Sequence, residues 1–363
     1  MSRTKNITEI DKAMAFKEQT LDGMNWYSVD SEGFVLDGLY WRKKGGAFRR
    51  LPLNLSISEN VDVLAWHTAG AMLRFKTDAS EIRINVKTGN NSRMDHMASV
   101  GSMGFDLYIG SRNHKTYFGS SRFDREKDDY NVTIFKNDTV KKVREFTLHF
   151  PLYSGVESFA IGLTEGAKVY PPTAWKDDRP VVVYGTSIQQ GGCASRPGMC
   201  HTNILSRMLD RPFINLGFSG SAKGEPEMAE TIADIKNPAM IVLDYDANAG
   251  VGGLRKTLSG FVDILRSKHQ ETPILLVSRL PQAHEFHGET EYIEERMALT
   301  SIHLAEVQRR RSLGDKNIHF LDGVTLFGGI ASECTVDGCH ATDLGFYFVA
   351  QNTAPVIERI LQH

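Results

Sequence analysis

The chain has 363 residues and a formal net charge of −2 at pH 7, with 41% apolar and 24% charged residues. A chain of this length is long for one domain and comfortable for two. The near-zero charge excludes an electrostatic case for binding nucleic acid or an anionic membrane surface, and no apolar run approaches the ~20 residues that a membrane-spanning helix needs.

The first half of the chain has the pattern of β-structure. From about residue 24 to residue 165, short segments of alternating apolar and polar residues recur, bounded by Gly, Asn, Asp or Ser. Alternation of this kind favours strands, and the bounding residues favour turns. Many short strands are typical of sandwiches and jelly rolls. We therefore predict an N-terminal β-sandwich (jelly-roll-like) domain over residues 1–170, with strands in the segments 25–29, 71–76, 81–86, 104–109 and 143–150.

The pattern changes after two proline-containing segments, Pro171-Pro172 and Arg179-Pro180. From there on, strands that are apolar throughout alternate with segments of helical length and spacing. Such strands are buried on both faces, as in a parallel sheet covered by helices. We predict a three-layer α/β/α domain over residues 171–363, with strands at 181–184, 213–216, 240–243, 274–277 and 318–321 and helices that include 293–310 and 345–361.

A serine follows the first of these strands. The apolar run 181–184 leads into Gly185 and then Ser187, which places a hydroxyl at the tip of a buried strand, just before a helix begins. Asp337 and His340 lie three residues apart near the other end of the chain. Because ligands of open α/β sheets bind at the carboxyl ends of the strands, we expect these side chains to meet. Serine is a poor nucleophile until a base takes its proton, so His340 is the candidate base and Asp337 the carboxylate that orients it.

A serine at a strand tip with a distant histidine and aspartate indicates nucleophilic acyl transfer. That reaction also needs donors for the oxyanion of its tetrahedral intermediate. The candidates follow the first three strands: the backbone N–H of Ser187, the backbone N–H of Gly220 and the side-chain amide of Asn248. Glycine lets the backbone approach a substrate closely, and asparagine donates while it remains neutral.

Four sequence blocks occur together in a recognisable order and spacing. They are Gly185–Ile188 (GTSI), Asn215–Gly220 (NLGFSG), Asp246–Ala249 (DANA) and Asp337–His340 (DGCH). Over residues 180–361 the chain resembles the SGNH (GDSL-type) hydrolase family, which is named after the Ser, Gly, Asn and His of its blocks. The resemblance implies a flavodoxin-like α/β/α fold and esterase activity.

The blocks depart from the family pattern at three positions. Thr186 stands where aspartate is usual, Asp246 where glycine is usual and Ala249 where aspartate is usual. Asp246 and Ala249 lie in the third block together with Asn248. These two departures therefore bear most on the expected oxyanion role of Asn248. They also leave open whether activity is reduced.

The front half resembles a bacterial subgroup in which a β-sandwich precedes the hydrolase domain. The matching segments are Gly104–Tyr108 (GFDLY), Pro151–Ser158 (PLYSGVES) and Cys193–Met199 (CASRPGM). The resemblance implies a serine esterase acting on short acyl esters, such as O-acetyl groups of a carbohydrate. We expect a small-molecule or oligosaccharide substrate and no cofactor or metal, since this reaction class needs neither. The oligomeric state stays open.

Other residues have two interpretations each. Asp244 and Asp246 are spaced to bind a metal, although hydrogen-bonded carboxylates at a strand end are commoner. Arg196 is either a substrate-binding residue or part of a salt bridge. His96 and Tyr108 are candidates to reach the site from the front half.

The cysteines and the N-terminus bear on the compartment. Cys193 and Cys200 are separated by six residues, and Cys334 and Cys339 by four. The spacings permit two local disulfides or four unpaired thiols, and they are not the two-residue clips usual for structural zinc. Residues 1–7 lack a signal-peptide core. We expect a periplasmic or secreted protein whose leader is absent from the chain, with a cytoplasmic protein as the alternative.

Two other functions remain open. One is a glycan-binding protein whose hydrolase-like domain is catalytically impaired. The other is nucleotide binding, because glycine-rich turns between strand and helix also cradle phosphate. The turn at Gly185 has neither of the usual nucleotide-binding glycine motifs, so this last function ranks lowest.

Overall fold

Two antiparallel sheets form the first half of the chain in a computed structural model that describes residue 11 and residues 23–137 and 139–362. The segment 1–7 lies outside these residues. The strands are β1 (Met24–Tyr27), β2 (Val35–Asp37), β3 (Met72–Thr77), β4 (Glu81–Gly89), β5 (Asp106–Ile109), β6 (Thr116–Ser120), β7 (Asp129–Lys136), β8 (Arg144–His149), β9 (Gly155–Thr164) and β10 (Val169–Tyr170). One sheet has the order β1-β9-β4-β7, and the other has the order β10-β3-β8-β5-β6 with β2 beside β3.

The two sheets share one apolar core. Along β4, Ile82 and Ile84 are buried, while the intervening Arg83 is only half-buried, as the alternation of a strand requires. Phe75 and Phe146, from the other sheet, belong to the same core and stack with ring centroids 5.4 Å apart. The predicted β-sandwich is thereby confirmed. Strands β2, β6, β7, β9 and β10 add to the five segments that the sequence predicts.

The second half contains one parallel sheet. Its strands are β11 (Val181–Gly185), β12 (Phe213–Gly217), β13 (Met240–Asp244), β14 (Ile274–Val277) and β15 (Ile318–Leu321), in the order β12-β11-β13-β14-β15. All neighbouring pairs are parallel. All five strands were predicted, because each is apolar along its length. The order changes direction beside β11, and such a switch point is where doubly wound sheets form ligand crevices.

Helices cover both faces of this sheet. Val182 and Tyr184 of β11 lie in one core with residues 226–268 and 299–307, and Val181 and Val183 lie in the other with residues 204–205 and 346–357. The three-layer α/β/α prediction is therefore confirmed. No helix among the described residues combines the length and the apolar character needed to cross a bilayer. The helices are α1 (Glu59–Leu64), α2 (Ser99–Met103), α3 (Ser187–Gln190), α4 (His201–Leu209), α5 (Pro226–Ala233), α6 (Asp246–Lys268), α7 (Ala283–Phe286), α8 (Thr290–Ser312) and α9 (Asp343–Leu361).

Arg50 joins the two halves at the edge of the crevice. Its buried guanidinium donates to the carbonyls of Leu64 and His67 in the first half, at 2.8 Å each. It also donates to the carbonyls of Asn215 and Gly217 on β12, at 3.2 and 2.7 Å. One charged side chain thus fixes the end of β12 against the β-sandwich. We propose that the boundary between the two domains lies between residues 170 and 171, just after β10.

Candidate active site

The turn after β11 holds Ser187 in a fixed conformation. Thr186 caps α3: its hydroxyl accepts from the backbone N–H of Ile188 at 3.2 Å, and its own N–H donates to Gln189 Oε1 at 2.7 Å. A Cβ on Gly185 would lie only 2.4 Å from the carbonyl oxygen of Asp244, so the neighbouring strand leaves room only for glycine. Ser187 is the first residue of the helix and is half-buried.

His340 lies within hydrogen-bonding distance of this serine. Ser187 Oγ is 2.9 Å from His340 Nε2, and His340 Nδ1 is 2.7 Å from Asp337 Oδ2. The structure therefore brings together the three side chains that the sequence selects, although Ser187 and His340 are 153 positions apart. The geometry is that of a nucleophile, a base and an orienting carboxylate.

Several donors surround the Asp337 carboxylate. Partial burial opposes its ionisation, but hydrogen bonds from the backbone N–H and ring of His340 and from the backbone N–H of Cys339 outweigh burial. They hold the pKa of Asp337 below its usual value of 3.8. The carboxylate is ionised at neutral pH, as a group that stabilises an imidazolium must be.

The loops that carry the expected oxyanion donors leave the sheet at the same level as the serine. In the strand register Gly185 pairs with Gly217 on one side and with Asp244 on the other. Gly220 is exposed with φ of +64°, a conformation that favours glycine. Asn248, in the first turn of α6, donates its amide to the carbonyl of Phe218 at 3.2 Å. Asn248 thus stands directly beside the loop that presents Gly220.

A family model described as the GDSL-like lipase/acylhydrolase family matches residues 178–358, and one described as the N-terminus of Esterase SGNH hydro-type matches residues 24–169. The chain belongs to the GDSL-like lipase/acylhydrolase family. It is accordingly a carboxylic ester hydrolase. A search of curated proteins finds no significant match to the sequence.

Solved structures share the whole two-part architecture. A protein from Bacteroides ovatus described as a GDSL-like lipase is 28% identical with a TM-score of 0.84, covering 93% of this chain and 98% of that one. A salicylyl-acyltransferase from a tetracycline biosynthetic pathway is 18% identical with a TM-score of 0.76, covering 94% and 98%. A family two carbohydrate esterase from Cellvibrio japonicus is 14% identical with a TM-score of 0.60, covering 93% and 98%. At identities of 18% and 14%, the similarity to the acyltransferase and to the carbohydrate esterase shows a shared fold only.

One departure of this chain from the GDSL-type blocks, at Asp246, has a structural explanation. Asp246, in place of the usual glycine, is fully buried and accepts from the backbone N–H of Arg279 at 3.0 Å, with His303 Nε2 3.2 Å away. It therefore ties the start of α6 to the segment after β14. Asp244 accepts from Gln189 Nε2 at 2.6 Å, and burial, followed by the charge of Asp246, raises its pKa. The two carboxylates therefore make separate contacts, which agrees with the interpretation of hydrogen-bonded carboxylates at a strand end.

The β-sandwich supplies residues to the site. His96 Nε2 lies 3.7 Å from Asp337 Oδ2, and the rings of His96 and His340 meet edge to face with centroids 6.0 Å apart. The hydroxyl of Tyr153 donates to the carbonyl of Ser187 at 3.4 Å. Sequence reasoning named His96 as a candidate and missed Tyr153, although Tyr153 lies inside the segment 151–158 that carries the subgroup resemblance.

Gln190 is a second residue that sequence reasoning did not assign. Its amide contacts His67 Nδ1 at 3.0 Å and donates to the carbonyl of Leu152 at 3.2 Å, both in the first half of the chain. The side-chain oxygen of Gln190, Oε1, accepts from the backbone N–H of Ser219 at 3.0 Å. Gln190 therefore connects α3, the β-sandwich and the loop that carries Gly220. The only signal for it is its place in the polar stretch after Ser187.

Arg196 and Tyr108 form part of the junction between the two halves. Arg196 donates to Asp106 Oδ2 at 2.8 Å and to the hydroxyl of Tyr108 at 2.6 Å. Asp106 is fully buried and also accepts from the backbone N–H of Gly198 at 2.9 Å. Of the two interpretations of Arg196, the structure supports the salt bridge. Tyr108 reaches across the junction, as the sequence suggests, to a partner other than the triad.

The cysteines are unpaired in the structure: all four lie among the described residues, and none forms a disulfide. Burial, followed by the negative charge of Asp337, raises the pKa of the Cys193 thiol to about 12. Burial also raises the pKa of Cys200. Both thiols are therefore protonated at neutral pH, which leaves Ser187 as the candidate nucleophile on the strand tip.

Proposed function

We propose that this protein is a serine esterase that removes short acyl groups, chiefly O-acetyl groups, from a carbohydrate through an acyl-enzyme. The observation that carries the proposal is the continuous contact from Ser187 Oγ to His340 Nε2, at 2.9 Å, and from His340 Nδ1 to Asp337 Oδ2, at 2.7 Å. Proton transfer needs separations of this size.

In the first half of the reaction, Ser187 Oγ attacks the carbonyl carbon of the ester while His340 Nε2 takes the hydroxyl proton. The carbonyl oxygen becomes an oxyanion, and Asp337 stabilises the imidazolium. His340 then returns the proton to the leaving alkoxide oxygen. The C–O bond to the sugar breaks, the alcohol leaves, and the acyl group remains on Ser187.

In the second half, His340 removes a proton from a water molecule, whose oxygen attacks the acyl-enzyme carbon. The bond to Ser187 Oγ breaks as His340 returns the proton to that oxygen, and the carboxylic acid leaves. We assign the oxyanion of both steps to the backbone N–H groups of Ser187 and Gly220 and to the amide of Asn248. The contact of Asn248 with the Phe218 carbonyl, beside Gly220, supports this grouping.

The carbohydrate part of the proposal is supported by the shared architecture with the carbohydrate esterase from Cellvibrio japonicus, whose chain is covered to 98%. The acetyl part comes from the resemblance of the sequence blocks to the family. A panel of aryl acetate, butyrate and octanoate esters tests the acyl preference, and acetate release from acetylated oligosaccharides tests the sugar. Rates that increase from acetate to octanoate would contradict the short-acyl assignment.

The test of the mechanism is Ser187→Ala, compared with Ser195→Ala on the same loop region. Ser195 donates from its backbone and hydroxyl to Asp343, so its replacement probes a nearby serine outside the triad. We expect Ser187→Ala to lower kcat/KM for an aryl acetate by about 10³-fold or more and to abolish labelling by a fluorophosphonate. Ser195→Ala should keep both. Unchanged turnover in Ser187→Ala would refute the mechanism, and glycan binding without any labelling of the natural chain would favour a binding protein.

A further inference from the structure

Four side chains with metal-binding atoms meet at the triad, and two of them belong to it. One ligand atom from each of His96, Cys193, Asp337 and His340 lies within 4.8 Å of every other. The residues come from three separate segments. His96 belongs to the β-sandwich, Cys193 to the turn after the nucleophile helix, and Asp337 and His340 to the loop before α9. Only Asp337 and His340 are close in sequence, so no single short segment supplies all four residues.

The two residues outside the triad are held next to it. His96 Nε2 lies 3.7 Å from Asp337 Oδ2, and its Nδ1 is buried without a hydrogen-bond partner among the described residues, although Asp95 Oδ1 is 3.3 Å away. Cys193 has a φ of +75°, which is uncommon for a residue other than glycine. The residue is 9% exposed, and its thiol forms no disulfide. Both residues therefore have an available ligand atom.

The donor set selects one class of cation. Two imidazoles, one sulfur and one carboxylate suit Zn²⁺ and similar borderline-soft ions, whereas Ca²⁺ and Mg²⁺ prefer oxygen ligands. In tetrahedral zinc sites the bonds of roughly 2.0–2.3 Å place ligand atoms about 3.3–3.8 Å apart. Side-chain movements of about 1 Å or less would bring these four atoms to that spacing. The side chains of His96, His340 and Asp337 are 33%, 27% and 32% exposed, so an ion has a path from solvent.

We propose that His96, Cys193, Asp337 and His340 form a binding site for Zn²⁺ or a similar divalent cation, and that the bound ion inhibits the enzyme reversibly. The thiol proton of Cys193 passes to solvent as the Cys193 sulfur binds the ion. No bond of the protein backbone or of a substrate changes, and no electron is transferred.

Inhibition follows from either way in which His340 can bind the ion. If Nε2 is the ligand, it no longer accepts the proton of Ser187. If Nδ1 is the ligand, a neutral imidazole carries its proton on Nε2, which then cannot act as the base. In the second case the hydrogen bond between His340 Nδ1 and Asp337 Oδ2 is replaced by bonds to the ion, whereas in the first case Nδ1 keeps its proton. This part of the inference rests on the proposed esterase mechanism, whereas the binding site itself does not.

Cobalt(II) provides a direct spectroscopic test with the purified protein. We expect one equivalent of Co²⁺ to give the visible bands of a tetrahedral ion and a near-ultraviolet charge-transfer band from thiolate ligation, and Zn²⁺ to displace it. Cys193→Ser should remove the charge-transfer band. The control Cys339→Ser should keep the band, because Cys339 is a nearby thiol outside the cluster. Absence of the band in the natural chain, or its loss only in Cys339→Ser, would overturn the proposal.

A second variant tests the site independently, in case Cys193→Ser does not fold. His96→Gln should weaken Co²⁺ binding by about tenfold or more, and the control His284→Gln, at an exposed histidine of α7, should not. If His96→Gln binds Co²⁺ with the same affinity as the natural chain, the proposed site is refuted. In the activity assay, Zn²⁺ should inhibit hydrolysis of an aryl acetate, a chelator should restore it, and His96→Gln should require about tenfold more Zn²⁺. Tight Co²⁺ binding by a chain that hydrolyses no ester would refute the esterase mechanism and leave the metal site standing.

Discussion

Asp337 binds His340 through both of its carboxylate oxygens. Oδ1 accepts from the backbone N–H of His340 at 2.7 Å, and Oδ2 lies 2.7 Å from ring Nδ1. The three-residue spacing of the DGCH block makes this possible, because Gly338 has a φ of +89° and turns the chain back on itself. The same carboxylate thus fixes the turn and the ring, so that Nε2 is directed at Ser187.

Asp337→Asn tests this double role. We expect kcat/KM for an aryl acetate to fall by about 10³–10⁴-fold, because the amide neither fixes the correct tautomer nor stabilises an imidazolium. The control is Asp343→Asn, a carboxylate that accepts from the backbone N–H of Ser195 at 2.8 Å. It should change kcat/KM by less than about tenfold, since it does not contact the triad. Equal losses in the two variants would contradict the role of Asp337 in the triad.

Asn248→Ala tests the oxyanion assignment. Loss of one donor should lower kcat by about 10²–10³-fold and leave KM nearly unchanged. Asn352→Ala is the matched control, because Asn352 also donates its amide to a backbone carbonyl, that of Leu326 at 2.9 Å, at a position outside the site. Both variants should lose similar stability, about 1 kcal/mol. If kcat falls equally in both, Asn248 is a structural residue only.

Arg50→Met tests the junction between the β-sandwich and the α/β/α half. The replacement leaves four carbonyls without the guanidinium, two on each side of the junction. We expect the free energy of unfolding to decrease by about 3 kcal/mol or more. Tm, measured by calorimetry, should fall by about 5 °C or more. Arg125→Met is the control, because Arg125 is an exposed arginine whose side chain contacts Glu126. Similar Tm values for the two variants would contradict the role of Arg50.

Buried histidines predict how stability depends on pH. Burial lowers the pKa of His201 from 6.5 to about 4, and burial with the charge of Arg50 lowers that of His67 to about 4. Between pH 4 and pH 6.5, each of these histidines binds more protons in the unfolded chain than in the folded chain. Their contribution to the free energy of unfolding is therefore fully present above pH 6.5 and decreases as the pH falls toward 4. Each histidine contributes a slope of up to about 1.4 kcal/mol per pH unit.

His201→Phe isolates one of these contributions. The ring of His201 stacks on Phe346 with centroids 5.8 Å apart, and its Nδ1 is buried without a hydrogen-bond partner among the described residues. Phenylalanine keeps the stacking and cannot be protonated. We therefore expect Tm of the variant to fall less than that of the natural chain between pH 6.5 and 4. Parallel curves for the two proteins would contradict the assignment.

Local patterns were sufficient for most of the second half of the chain. Strands such as β11 and β13 are apolar along their whole length, and that pattern depends only on burial on both faces of a sheet. In the first half, β6 was not predicted, since Thr116, Tyr117 and Phe118 are exposed and show no alternation of burial. Strand β9 is completed by pairing with both β1 and β4, which a local pattern does not contain.

The metal interpretation shows the same limit. The acidic pair Asp244 and Asp246 has a suggestive spacing, yet each carboxylate accepts from a different protein donor. Spacing argued against zinc at the cysteines, whereas Cys193 lies among ligand atoms from distant segments. Sequence spacing reports only on sites whose ligands share one segment.

The sequence by itself determined the parallel sheet, the strand tip that carries Ser187 and the order of the blocks that supply Gly220, Asn248 and His340. These features follow from apolar periodicity and turn chemistry, which act over a few residues. Only the tertiary structure decided that His96 and Tyr153 of the β-sandwich reach the site and that Asp246 is buried against His303. The physical reason is that contacts between residues so far apart in the chain depend on how the two halves pack against each other. That packing depends on the shape and chemistry of both surfaces, which a local sequence pattern does not contain.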